Sequence, residues 1–236
     1  MKKRGRKKMT SDQNPDKVPT EHRPKDLAHL VVDILAGFIH AGALLNYLIT
    51  PPLEKRRNEW LDALGTRLVQ LEKEKGISLE DLKENDEFID IVIQATQIAL
   101  RSSQEEKKEA LKNAILNNVC GLAPDLSMQQ MFINYIDTFT VWHIKLLDLF
   151  SDPVRWAKKV DHSFQQVTTG ELALIIEEAF PEIKDRRDFY DQIWKDLYSR
   201  GLVNTEGLHV TMTGSGLMSR RATSIGEAFI KYITSE

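Results

Sequence analysis

The chain has 236 residues, 42% hydrophobic and 28% charged, which suffices for one large domain or two small ones. Its one cysteine, Cys120, excludes an internal disulfide framework and a multi-cysteine zinc site, and suits a reducing cytoplasm. The net charge of −3 hides an asymmetry: up to Lys25 there are nine lysines and arginines against three acids, a net +6, which leaves −9 for the rest.

Residues 1–26 form the expected basic arm, with Lys2, Lys3, Arg4, Arg6, Lys7 and Lys8 at its start and Pro15, Pro19 and Pro24 beyond. It has no apolar periodicity and is expected to be disordered. The basic start runs into the polar TSDQNPDK, not into the apolar core of a secretory signal. Two roles compete for the arm: contact with nucleic acid or an anionic membrane surface, and a solvated tail.

Residues 27–49 are the most apolar stretch, with no formal charge between Asp33 and Glu54. Their length approaches that of a bilayer span, and Ala36, Gly37, Ala41 and Gly42 suit close helix contact. Asp33, His40 and Asn46, with cations on both flanks, favour a helix buried in a bundle over an inserted one. Pro51-Pro52 is expected to end that helix, and Trp60, Leu61, Leu64, Leu68 and Leu71 to set the face of the next, up to Gly76.

Ser78 and Asn85 or Asp86 read as caps of the following helices. Residues 86–119 are the centre of the pattern. Phe88, Ile91, Val92, Ala95, Ile98 and Ala99 recur at helical spacing, and the stripe resumes at Ala110, Leu111, Ala114, Ile115 and Val119. Between the two runs, Ser103-Gln104-Glu105-Glu106 has the form of a capping box. Residues 128–150 carry a broad aromatic face with Phe132, Tyr135, Phe139, Trp142 and Phe150, halted by Ser151-Asp152-Pro153.

After a connector over 151–165 the character changes. Thr168-Thr169-Gly170-Glu171 opens a helix to Phe180, and residues 187–200 form a second around Phe189, Ile193, Trp194 and Leu197. Leu202-Val203 and residues 208–212 are strand candidates, Gly214-Ser215-Gly216 a tight turn, and residues 221–233 bring the chain back. The expected architecture is mainly α: a helical bundle over 27–150 and a small α+β domain over 166–236.

The segments LYSRGLV and RATSIGEAFIKYI, at the two ends of that helix–helix–strand order, resemble a winged-helix domain. The central part, from PPLEKRRNEW to QATQIALRSSQEEKKEALKNAILN, resembles a recurring, uncharacterised family of bacterial helical proteins, which implies no activity. The winged-helix resemblance implies docking to protein or DNA. Its candidate contact residues are Arg186, Arg187, Gln192, Lys195, Tyr198, Ser199 and Arg200 on the second helix, with Arg220 and Arg221 beside the wing. Residues 166–236 hold eight basic against eleven acidic side chains. That balance ranks protein contact above DNA contact, because a DNA reader has a basic footprint.

Enzyme readings find less support. The six histidines lack metal-ligand spacing, so neither a metal nor another cofactor is expected. Asp137, Thr140 and His143 stand one helical turn apart, a possible hydrogen-bonded trio whose histidine more often belongs to a helix interface. Asp161-His162-Ser163 lists triad residue types in adjacent positions, whereas triads assemble from distant segments. Cys120 reads as a small core residue. The expected role is a non-catalytic, cytoplasmic interaction protein. DNA-binding regulator and membrane-associated effector inserting 27–49 follow as alternatives.

Overall fold

The computed structural model describes residues 41–235, with side chains from Leu48 onward. The basic arm and most of the apolar stretch 27–49 lie outside the described residues. The chain divides into two compact units, Met1–Pro52 and Leu53–Glu236. Among the described residues no helix is long and apolar enough to cross a membrane.

Helix α1 (Ala41–Lys75) runs through Pro51 and Pro52, where the sequence predicts a break. Each proline withholds an amide hydrogen from the helix ladder. The two carbonyls that lose a donor are those of Tyr47 and Leu48; Leu48 is exposed, and so are residues 51–59 beyond it. Further along, Trp60 and Leu64 are buried, and the Trp60 indole donates to Thr96 Oγ1 at 2.9 Å. Gly76, at φ 67°, ends the helix as expected.

Ser78 caps α2 (Leu79–Leu82), accepting from the Asp81 amide, and Asn85 caps α3 (Asp86–Arg101), accepting from the Phe88 amide at 3.0 Å. The stripe Ile91, Ala95, Ile98, Ala99 is buried, and it packs on the buried Ala110, Leu111, Ala114 and Ile115 of α4 (Glu105–Val119). The joint between them differs from the expected capping box. Helix α4 starts at Glu105 with Gln104 in the capping position and no side-chain cap, while Ser102 Oγ accepts from the Gln104 amide at 3.2 Å.

The aromatic run 128–150 is two helices, α5 (Leu126–Thr138) and α6 (Val141–Ser151). The break is made by Thr140, whose amide donates to His143 Nδ1 at 3.1 Å and whose hydroxyl lies 2.9 Å from the same nitrogen. This reciprocal cap stabilises a new helix start that outweighs continuing the old helix. Asp152 then caps α7 (Pro153–Lys159), its Oδ1 accepting from the Arg155 amide at 2.9 Å.

The C-terminal segment runs β1 (Thr169–Gly170), α8 (Leu172–Ala179), a turn of 3-10 helix at Pro181–Ile183, α9 (Arg187–Ser199), β2 (Met212–Thr213), α10 (Gly214–Leu217) and α11 (Ser224–Ile233). Strands β1 and β2 pair antiparallel, Thr169 against Thr213, and Val203 forms a single bridge with Ala222. Thus the strand expected over 208–212 is confined to its end, Thr169 and Gly170 are strand instead of helix start, and Gly214-Ser215-Gly216 opens a short helix. Residues 208–211 are outside any strand, with Leu208 O accepting from the Ala173 amide at 3.2 Å.

Helix α11 packs on α4 and α6, and α9 packs on α6. The Phe229 ring meets Phe132, Tyr135 and Phe139 edge-on at 5.3, 5.9 and 6.1 Å between centroids. One apolar cluster runs from Trp60 to Ile233. At the end of α11 four carbonyls have no partner within the helix. Thr234 Oγ1 donates to Ile230 O at 2.8 Å and Asn113 Nδ2 to Ile233 O at 3.0 Å. Asn117 Nδ2 approaches the carbonyls of Lys231, Tyr232 and Thr234 at 3.2, 2.9 and 3.0 Å. Two buried asparagines one turn apart on α4 therefore cap the last helix of the chain.

Candidate partner-binding surface

Helix α9 forms because Tyr190, Ile193, Trp194 and Leu197 fall on one face, and all four are buried. The Trp194 indole donates to Thr205 O at 2.9 Å and its ring meets Phe150 edge-on at 4.9 Å. The helix closes with Gly201 at φ 69°, where the Leu202 amide reaches Leu197 O at 3.0 Å and the Gly201 amide reaches Tyr198 O at 2.9 Å. That pair of bonds is a Schellman ending, and it needs a residue tolerant of positive φ. The opposite face presents Asp188, Gln192, Lys195 and Ser199 to solvent in one row, with Tyr198 beside it.

His209 ties the segment after α9 to both helices of the pair. Its Nδ1 lies 3.0 Å from Glu171 Oε2 at the start of α8, and its Nε2 lies 2.8 and 3.0 Å from the two carboxylate oxygens of Asp191 on α9. Carboxylates accept hydrogen bonds, so both contacts are satisfied when each ring nitrogen carries a hydrogen. With both nitrogens engaged, the ring braces this segment against the two helices. Beside it, the Tyr190 hydroxyl donates to Glu177 Oε1 at 2.8 Å, and burial together with that bond pushes the phenol up to about 12. Sequence reading passed over His209, because its partners stand 18 and 38 positions away.

The nine candidate contact residues part into two groups, those engaged within the protein, Ser199 among them with its hydroxyl donating to Asp196 O at 2.9 Å, and those left free. Arg220 Nη2 is bound to Asp152 Oδ2 at 2.6 Å and faces Glu227 at 3.8 Å. Arg221 donates to Gly216 O at 2.5 Å and braces the turn below β2. The Arg200 guanidinium lies over the rings of Tyr135 and Phe139, 5.2 and 5.0 Å from their centroids. Arg186 lies over Phe189 at 3.9 Å, Arg187 faces Asp191 at 3.7 Å, and Gln192 donates to Asp196 at 3.1 Å. The side chains of Lys195 and Tyr198 remain exposed, with no hydrogen bond, ion pair or ring contact among the described residues.

The proposed trio on α5 and α6 comes apart. Asp137 Oδ2 pairs with Arg101 at 3.1 Å, and its backbone carbonyl accepts from Lys107 Nζ at 2.9 Å. Lys107 is buried, and desolvation holds its ammonium below the ordinary lysine range. His143 stays with Thr140 and turns its Nε2 to Asp196 of α9 at 3.4 Å, while its ring stacks on Phe139 at 4.6 Å. Burial lowers its pKa, and the Asp196 contact opposes the shift. The histidine is thus a member of the α6–α9 interface. Asp161 has a φ of 54°, and next to it His162 Nε2 faces Glu178 at 3.8 Å. Among the described residues no group of three or more His, Cys, Asp or Glu side chains is placed to hold a metal ion. No family model, curated protein or solved structure matches this chain.

Proposed function

We propose that the chain is a non-catalytic interaction protein whose C-terminal helix pair and strand segment are of winged-helix type and dock a protein partner through the exposed row of α9. The observation that carries this reading is the fate of the arginines. Of the six cations in the candidate set, Arg200, Arg220 and Arg221 are spent on rings, carboxylates and a carbonyl of the protein itself, Arg186 lies over Phe189 and Arg187 faces Asp191, which leaves Lys195. What remains outward on α9 is a short row of mixed sign, Asp188, Gln192, Lys195 and Ser199, with an exposed tyrosine at its edge. An aromatic anchor among polar neighbours suits a protein interface, whereas phosphate contact calls for a cationic stripe.

The packing of α9 adds a second support. Asp196 and Arg200 on one flank meet the α5–α6 junction, which engages that flank of α9 within the protein. The test is duplex-DNA binding by fluorescence anisotropy over a salt series, with the full chain and a form starting at Asp26. Absent binding, or binding that vanishes with the basic arm, agrees with the proposal. Tight, salt-sensitive binding that survives removal of the arm and is lost in Lys195→Ala replaces it with the DNA-binding alternative.

A further inference from the structure

We propose a small-molecule site, separate from the α9 surface, in the cleft between the 160–168 loop and the turn that follows β2. The cleft has a volume of about 630 Å³, within the range that holds drug-sized ligands. Its floor is apolar: Ala157, Ile175 and Leu217 are buried there, and Phe164 and Met218 are half-buried. Its rim joins two segments far apart in the chain, His162 and Ser163 on one side and Gly214 and Ser215 on the other.

The walls are held before any ligand arrives. The Gly214 amide donates to Thr168 O at 3.0 Å, and a Cβ at Gly214 would collide with Val167 O. Glycine therefore permits the close approach that closes this end of the cleft. On the loop side, Glu178 Oε1 accepts from the Gln165 amide at 2.7 Å and faces His162 Nε2 at 3.8 Å. Phe164 packs edge-on to His162 at 4.6 Å and tilts against Trp156 at 6.0 Å. The loop is thus anchored by one carboxylate and an aromatic nest.

Charge decides the ligand class. The body of the protein is acidic, yet the lining of this cleft contains no carboxylate and a single formal charge, Lys158. Lys158 is exposed and makes no ion pair among the described residues. The side chains of Ser163, Gln165, Gln166 and Thr168 are likewise without hydrogen-bond partners there. An apolar floor, unspent donors along one wall and one cation at the edge fit an apolar monoanion: a carboxylate or sulfonate on an aromatic or aliphatic body.

The test uses anilinonaphthalene sulfonate and its neutral relative phenylnaphthylamine, titrated by fluorescence into the full folded chain. One tight site is expected for the sulfonate. Ser215→Trp, at an exposed rim position, places an indole in the cleft and should weaken both probes about tenfold or more. Lys158→Gln should weaken the sulfonate about threefold and leave phenylnaphthylamine unchanged. Gln166→Trp approaches from the opposite wall and supplies the same test if Ser215→Trp does not fold by circular dichroism. Sulfonate binding that ignores both tryptophan variants places the dye elsewhere and overturns the site. Equal effects of Lys158→Gln on the two probes overturn the anionic class.

Discussion

Arg220 and Asp152 stand 68 positions apart and meet at 2.6 Å, while the other oxygen of the same carboxylate caps α7 through the Arg155 amide. One aspartate thereby sets a helix start and fastens the segment before α11 to the end of the bundle. The Arg155 amide first, and then Arg220, hold its carboxyl below the ordinary value of 3.8. A lowered carboxylate pKa stabilises the fold fully above that value, and the contribution is lost as pH falls through the folded value. Asp152→Ala should cost about 1 kcal/mol in chemical denaturation at neutral pH. It should also lose less of its remaining stability than the parent between pH 4 and pH 2.

His143 gives the opposite chemistry with a related sign. Its pKa is lowered from 6.5 because the charged ring would be desolvated, so the unfolded chain binds the proton more readily. The stabilisation by the neutral ring is complete above the unfolded value and falls away as the solution is acidified below it. His143→Gln keeps an acceptor for the Thr140 amide. Stability measured from pH 8 to pH 5 should fall less steeply in this variant than in the parent, although it starts lower for want of the Phe139 stack.

Asn117→Ala removes a buried donor from the carbonyl end of α11. The cost should be about 1–3 kcal/mol, the range for leaving buried polar groups unsatisfied. Hydrogen exchange should report early opening in the last turn of α11, with α8 less affected, because the Asn117 amide group donates to the carbonyls of Lys231, Tyr232 and Thr234.

Gly226 lies where a Cβ would collide with Leu202 O. Its φ is ordinary, so the restriction is space alone. Gly226→Ala should destabilise by about 1–3 kcal/mol through forced displacement of α11, read as a lower thermal midpoint. Gly65, which has nothing within contact distance of the added atom, serves as the control, and Gly65→Ala should be neutral or slightly stabilising.

His209→Ala should loosen the segment between α9 and β2 by removing its hydrogen bonds to Glu171 and Asp191. Both carboxylates are partly solvated, so the global cost should be about 1 kcal/mol. Faster exchange of the amides of residues 206–211 would report the local effect.

The helical character of this protein is written in its period. Ile91, Ala95, Ile98 and Ala99, and later Tyr190, Ile193, Trp194 and Leu197, lie where a helix turns them to one side, and all are buried. Ser78, Asn85 and Gly201 act through bonds to near neighbours, so local sequence sufficed to place these ends. The joints that misled sequence reading depend on competition with distant or solvent partners. Pro51-Pro52 continues a helix on an exposed surface, and Thr140 starts one where His143 reaches back while also engaging α9. The placement of the arginines was not legible at all. Whether Arg220 faces solvent or Asp152 is decided by a contact across 68 residues, and the same holds for Arg200 over Tyr135 and for His209 between Glu171 and Asp191. Periodicity and capping, being short-range, determined which segments become helices. Only the tertiary packing decided which charges are left exposed, because a side chain's availability depends on what the fold sets beside it.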